Sequence, residues 1–552
     1  MTPLAPLLVL GLDGASFDVL DPLIAAGELP NLAAWRGQGF AAPLRSTVPA
    51  MSFPAWSTFQ TGLEPGRHGL FDFTQKVEGR YRIRFTNATD RAGRSLFERV
   101  TRAGGTVLAL GMPATYPPEK VAGLLVAGFD APVSTGTEPR SASDPELYRA
   151  VAARVGPWMQ ADLDEQAGAE GWGEAAAATL VARVERKGRF AVEALRQLRE
   201  RGTPPDFLCV VFSESDTVAH HFWRDHDPRS PRHDPSAGAA RRDAVAAVYR
   251  ALDAACGELR EAFGREALCV VASDHGCGGA SRHVVHLGRR LAETGLLARS
   301  GTGGLDRWAK TARDAALRLL PPAAAEAVFR RSRGAAARVE SAARFGGVDW
   351  RHTRAFSEEA NTQPGVWINR AGREAEGCVA AADYERTRDE VIAALREWQL
   401  PGGSPVVARA ERREQVYAGP FVERAPDIVV ELAEDAGYGL SLVPTPWRET
   451  HGASVRRLAD DELAGGRGRG MNGTHRPEGV WIAHGEGAAR PAEAAHPHLR
   501  DVAPTLLAAL GVAWESEGAG PDGADLLREH VAYSEAEQAQ VARRLRALGY
   551  LE

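Results

Sequence analysis

Residues 7–14 read LLVLGLDG, an apolar run broken only by one glycine and closed by Asp13 and Gly14. A short apolar run bounded by turn residues reads as a strand buried on both faces. The same pattern returns in FLCVVFSESD (residues 207–216) and LCVVASDHG (residues 268–276), and shorter runs occupy Val107–Leu110 and Leu124–Ala127. Each run is followed by a turn and a helix-like segment. The alternation predicts an α/β fold, with a central, mostly parallel sheet flanked by helices. In such sheets functional side chains gather beyond the carboxyl ends of the strands. Asp13, Asp216 and Asp274 each stand just past one of these runs, so the pattern predicts that they meet in space.

The remainder of the 552 residues exceeds one domain of roughly 100–200 residues, so inserts or further domains are expected. Residues 134–200 read as a helical insert, with an Ala/Glu/Arg pattern from Glu170 to Arg201. Residues 300–343 are basic, Ala-rich and also helical in pattern. Residues 345–445 read as a small α+β module, with GVWIN, PVVARAE and DIVVEL as strands and Tyr384–Trp398 as an amphipathic helix. The expected division is a core of residues 1–299 and 446–552, with 300–445 as an insert or cap. A Gly-rich loop at 462–473 precedes His475.

Composition narrows the function. With 66 basic and 72 acidic residues the net charge is -6, which predicts no general nucleic-acid-binding surface. The five cysteines (Cys209, Cys256, Cys269, Cys277 and Cys378) contain no CxxC pair, a poor pattern for a disulfide framework or a thiolate zinc site. The N-terminus lacks a basic segment and reads as a strand, not a signal peptide. No apolar stretch of about 18 residues suggests a membrane span. A cytoplasmic location is the expectation; oligomeric state is left open.

The chemistry-bearing residues lie in five blocks. Asp13 closes LGLDG. Ser52 opens SFPAWSTFQTG, where its hydroxyl would either cap a helix or attack a phosphoryl group held at the helix amides. In SDTVAHHF, Asp216 and His220 are four residues apart and share one face of a helix, so they suit one cation. Asp274 and His275 form a pair at a strand end, and His475 lies in GTHRPEG. Phe53 and Trp56 are candidates to stack on an aromatic leaving group or base, with core packing as the plainer reading. Arg476, beside His475, is the best candidate for a substrate contact. Four Asp/His blocks and a serine suffice for two cations with mixed oxygen and nitrogen ligands. Such a pair, about 3.5–4 Å apart, can clamp both oxygens of a phosphoryl displacement.

In this order LGLDG, SFPAWSTFQTG with PGRHG, SDTVAHHF, SDHG and GTHRPEG resemble the alkaline phosphatase superfamily, most closely its type I phosphodiesterase/nucleotide pyrophosphatase branch. DVAPTLLAALGV (residues 501–512) resembles the C-terminal part of that family. The resemblance implies an alkaline-phosphatase-like fold. It also implies that Asp13, Ser52, Asp274 and His275 surround one metal ion, while Asp216, His220 and His475 hold the other. Ser52 would be the nucleophile, forming a phosphoserine that water then hydrolyses. Zinc is the cation this implies, with manganese as the alternative, and the partner is a small phosphate ester.

Departures shape the expected substrate. The nucleotide-cleaving branch carries Thr with Asn three residues later, where this chain has Ser52 and Ala55. Phosphomonoesterases of the superfamily place an Arg near the serine, and none lies between Arg45 and Arg67. A sulfatase needs Arg where Trp56 stands. The expectation is hydrolysis of phosphodiester or pyrophosphate bonds. The alternatives are a phosphomonoesterase, a phospho-group transferase, or a non-catalytic binding protein that keeps the fold.

Overall fold

The computed structural model describes residues 4–131, 140–158, 163, 172–299, 341, 344–360, 362, 364–447, 452–463, 471–488, 496–514 and 531–547. Nearly all of the basic stretch 300–343, and residues 464–470 of the Gly-rich loop, lie outside the described residues.

A seven-stranded sheet organises the chain, in the spatial order Phe40–Arg45, Glu478–His484, Leu268–Ala272, Leu7–Leu12, Phe207–Phe212, Val107–Met112 and Gly123–Ala127. The last five are the strands expected from the apolar runs, and all pair in parallel. Glu478–His484 runs antiparallel to both neighbours. Sequence reading missed the edge strand Phe40–Arg45, because Pro43 sits within it. An edge strand tolerates proline, whose missing N–H faces away from the ladder.

Alternation along the first strand divides the core. Leu8, Leu10 and Leu12 pack toward the helices Trp172–Glu200, Glu214–His226 and Ala239–Phe263. Leu7 and Val9 pack on the opposite face against Ala55, Trp56 and Phe59 of the helix Ser52–Thr61, and against the helix Val502–Leu510. Each such side chain, fully buried, contributes roughly 1.5–3 kcal/mol. The helices Pro145–Val155 and Trp172–Glu200, from the stretch expected as a helical insert, bury Leu147, Val151, Leu180 and Phe190 in the first of these two layers. The fold is thus α/β and alkaline-phosphatase-like, a mostly parallel sheet covered by helices on both faces.

The three strands expected in 345–445 pair in a separate antiparallel sheet with a fourth, Ala355–Phe356, in the order Ala355–Phe356, Gly365–Ile368, Ile428–Leu432 and Val407–Arg412. The helix Tyr384–Arg396 covers it through Val391 and Leu395. Beyond this sheet, Tyr438–Leu442 pairs in parallel with Gly276–Val285, the strand that leaves Asp274 and His275. Gly276–Val285 also pairs antiparallel with Gly473–Arg476, which brings His475 beside the strand ends. Among the described residues no helix is long and apolar enough to cross a membrane.

Candidate active site

The parallel strands deliver their carboxylates to one place. The Asp13 N–H donates to the carbonyl of Phe212 (2.9 Å), so the turn after the first strand is tied to the end of its neighbour. Ser215 Oγ donates to the Asp13 carbonyl (2.6 Å), and the Ala15 N–H donates to Ser273 Oγ (2.9 Å). Ser215 and Ser273, which directly precede Asp216 and Asp274, therefore stitch three strand ends together. Gly14 has φ +64, and a Cβ there would lie 2.8 Å from Asp216 Oδ1. Both the left-handed backbone and the close approach require glycine. Gly11 makes room in the same manner for the Trp56 ring, 2.9 Å from where its Cβ would stand.

Ser52 is the first residue of the helix Ser52–Thr61, but Met51 occupies the capping position. The Ser52 hydroxyl instead donates to Asp13 Oδ1 (3.1 Å) and lies 3.2 Å from His275 Nε2. The hydroxyl thus faces the Asp/His cluster. Asp13, Asp274 and His275 offer ligand atoms within 4.8 Å of one another, and so do Asp216, His275 and His475. His220 Nε2 lies 3.2 Å from Asp216 Oδ1 and 3.0 Å from His475 Nε2. All seven residues expected around the metals are brought together.

The histidines are oriented by backbone carbonyls. Nδ1 of His275 faces the Gly276 carbonyl, that of His220 the Gly473 carbonyl and that of His475 the Ala50 carbonyl, each at 3.0 Å. A carbonyl only accepts, so each Nδ1 carries the proton and each Nε2 turns inward, the arrangement typical of metal-binding histidines. Two inward Nε2 atoms 3.0 Å apart beside the Asp216 carboxylate demand a positive charge among them. Asp274 Oδ2 is buried without a hydrogen-bond partner among the described residues. The donor set fits divalent cations.

Electrostatics expresses the same demand. Burial, with the carboxylates of Asp274 and Asp216, pushes Asp13 well above the usual carboxylate range. Burial pushes Asp274 up to about 8, aided by Asp216 and opposed by the Gly14 N–H. Burial also works against ionised Asp216, yet His220 and His475 hold it well below its ordinary value. His220 is raised correspondingly, Asp216 outweighing the effect of burial. His275 is depressed to about 3 by burial and then by the neighbouring His475, so its imidazole stays neutral.

Phe53, Trp56 and Arg476, the candidates for substrate contact, have partners of their own in the structure. Phe53 and Trp56 are both buried, and their side chains are engaged within the protein. Phe53 packs on Phe73 (ring centroids 4.9 Å apart), and the Trp56 indole N–H donates to Asp13 Oδ2 (3.2 Å). The helix is buried along its whole length, so its aromatic rings face the core. Arg476 follows His475 on a strand and, by pleat alternation, projects to the other face. There its guanidinium is held by Glu434 and the Gly437 carbonyl, at the edge of a cavity of about 1100 Å³. Ala55, where the nucleotide-cleaving branch carries Asn, is also fully buried and packs with Leu7 and Val9. The roles of Trp56, Ser215 and Ser273 escaped sequence reading; the only signal was their closeness to the ligand blocks.

The fold is similar to that of phosphonoacetate hydrolase from Sinorhizobium meliloti 1021. The structure in complex with phosphonoacetate has a TM-score of 0.54 and that with phosphonoformate 0.50; each is 16% identical and covers 92% of this chain and 96% of that chain. Murine ectonucleotide pyrophosphatase/phosphodiesterase 5 matches with a TM-score of 0.43 and 13% identity over 95% of this chain and 100% of its own. No curated protein matches the chain in sequence. The profile of the type I phosphodiesterase/nucleotide pyrophosphatase family matches residues 7–440, and the chain belongs to that family.

Proposed function

We propose that this chain hydrolyses phosphodiester or pyrophosphate bonds with two divalent metal ions, through a covalent phosphoserine at Ser52. The observation that carries the reading is the Ser52 hydroxyl, 3.1 Å from Asp13 and 3.2 Å from His275, beside a cluster of inward-facing Nε2 and carboxylate atoms. Asp13, Ser52, Asp274 and His275 would hold one ion; Asp216, His220 and His475 would hold the other. Mixed oxygen and nitrogen donors suit zinc, with manganese as the alternative. When bound, the ions neutralise charge on the phosphoryl oxygens and lower the pKa of hydroxyl and water nucleophiles.

The chain's own groups supply positioning. Ser52 opens a ten-residue helix, and the N–H groups of that first turn favour an incoming phosphate. Asp13 Oδ1 orients the hydroxyl and is placed to take its proton. Attack forms a bond from Ser52 Oγ to phosphorus as the bond to the leaving alcohol or phosphate breaks. Water then displaces Ser52 from phosphorus. The five cysteines are free and four are buried, which supports a reducing, cytoplasmic compartment.

The test is metal-loaded enzyme assayed on bis-p-nitrophenyl phosphate and p-nitrophenyl phosphate, with phosphate located on Ser52 by mass spectrometry after acid quench. Ser52→Ala should lose at least ~10³-fold in kcat. Faster turnover of the monoester would replace the diesterase reading. A metal-free protein, with Ser52→Ala indistinguishable from the parent, would make it a binding protein.

A further inference from the structure

Beside the cluster, on the face of the sheet covered by the helices Trp172–Glu200 and Glu214–His226, lies a buried ion pair that the chemistry above does not use. Lys187, on the helix Trp172–Glu200, is 1% exposed, and Glu214 is 0% exposed. The Lys187 Nζ lies 2.9 Å from Glu214 Oε1 and donates to Oε2 at 3.1 Å, with Ser213 Oγ 3.4 Å away. The ammonium also sits over the Trp158 ring, 5.3 Å from its centroid.

A buried ion pair adds little net stability, because desolvating two charges offsets most of their attraction. What it does is hold geometry. Glu214 begins the helix Glu214–His226, two residues ahead of Asp216 and six ahead of His220. The same turn is gripped from the other side, where Ser215 Oγ donates to the Asp13 carbonyl. Four successive residues are thus anchored: Ser213 and Glu214 to Lys187, Ser215 to the residue that follows the first strand, and Asp216 in the cluster. The position of Asp216 and the direction in which His220 leaves it follow from these two anchors.

We propose that Lys187 is a positioning residue that, through Glu214, sets the affinity of the Asp216–His220–His475 site for its metal ion. The inference rests on the two-metal reading of the cluster. It assigns an asymmetric effect: Lys187 and Glu214 anchor the turn that carries Asp216, whereas Asp274 and His275 follow another strand, Ser52 opens another helix, and Asp13 meets that turn through its backbone carbonyl, at Ser215 Oγ.

The test titrates Zn²⁺ into metal-free full-length protein against a chromophoric chelator, for the parent, Lys187→Met, Lys187→Arg and the double variant Lys187→Met/Glu214→Leu. The double variant removes both charges at similar volume, so it keeps the fold if the single one does not. Thermal unfolding of the metal-free proteins reports folding separately. The expected result is two equivalents in the parent, with one weakened about 10–100-fold in Lys187→Met and in the double variant. The other equivalent stays unchanged, and Lys187→Arg largely restores the first. Unchanged affinity for both ions in the folded variants overturns the proposal, as does equal weakening of both. A parent that binds no Zn²⁺ overturns the two-metal reading itself, and this proposal with it.

Discussion

Replacing Trp56 with Phe separates two roles that its position in the sequence leaves open. The ring is 0% exposed, and its N–H donates to Asp13 Oδ2 at 3.2 Å. Asp13 Oδ1 in turn accepts from Ser52. A hydrogen bond to a charged acceptor contributes about 1.5–3 kcal/mol. At ~1.4 kcal/mol per decade, its loss corresponds to one or two powers of ten in affinity for the ion that Asp13 would hold. That range agrees with the ~10–100-fold effect of removing a partner of a metal ligand. Phe keeps the edge contact with Phe59, whose centroid is 5.0 Å away, so the loss of global stability should fall below the ~3–5 kcal/mol of truncation to Ala. The assay is a competition titration of Zn²⁺ into metal-free Trp56→Phe, with kcat and KM for bis-p-nitrophenyl phosphate at saturating metal. The expected outcome is weaker metal binding, KM unchanged, and kcat largely recovered at excess Zn²⁺. A several-fold rise in KM with parental metal affinity would refute the reasoning and return Trp56 to the substrate.

Gly14→Ala should combine left-handed strain of ~1–2 kcal/mol with a clash against Asp216 Oδ1. Metal stoichiometry should drop below that of the parent, and the urea midpoint should fall; full occupancy at parental stability would contradict the packing argument. Metal binding near pH 7 should release protons, because Asp274, pushed by burial up to about 8, holds one in the metal-free protein, and burial with neighbouring carboxylates shifts Asp13 in the same direction. Affinity should therefore rise with pH, and calorimetry in buffers of different ionisation enthalpy should give different heats; buffer-independent heats would sink the idea. Asp130, buried and bonded to the Ala114 and Tyr116 N–H groups (3.1 Å each), is pushed by burial from 3.8 to about 6. Its folded pKa exceeds the unfolded one, so its stabilisation is whole below about pH 4 and is lost as pH rises through 6, roughly 3 kcal/mol in all. Asp130→Asn should flatten urea-measured stability between pH 4 and 7 by that amount, and an unaltered slope would count against it.

The five parallel strands were legible because each is a short apolar run closed by a turn, a signal carried by adjacent residues. The clustered carboxylates and histidine were legible because Asp13, Asp216, Asp274 and His275 stand just after those runs, where parallel strands converge. Phe40–Arg45 escaped because its register comes from Glu478–His484, more than 400 residues away in the chain. Which side of the helix Ser52–Thr61 would face solvent was equally illegible. A helix buried all round, as this one is, carries no amphipathic stripe to read.

The sequence alone determined the α/β class, the strand ends and the set of Asp, His and Ser residues, because periodicity and order are local properties of the chain. Only the tertiary structure decided the directions. It turned Trp56 toward Asp13, Arg476 away from His475 and Ala55 into the core, and it set Lys187 against Glu214 across 27 residues of sequence. Facing is fixed by helix rotation and pleat alternation, and these are set by packing between elements that the chain connects only at a distance.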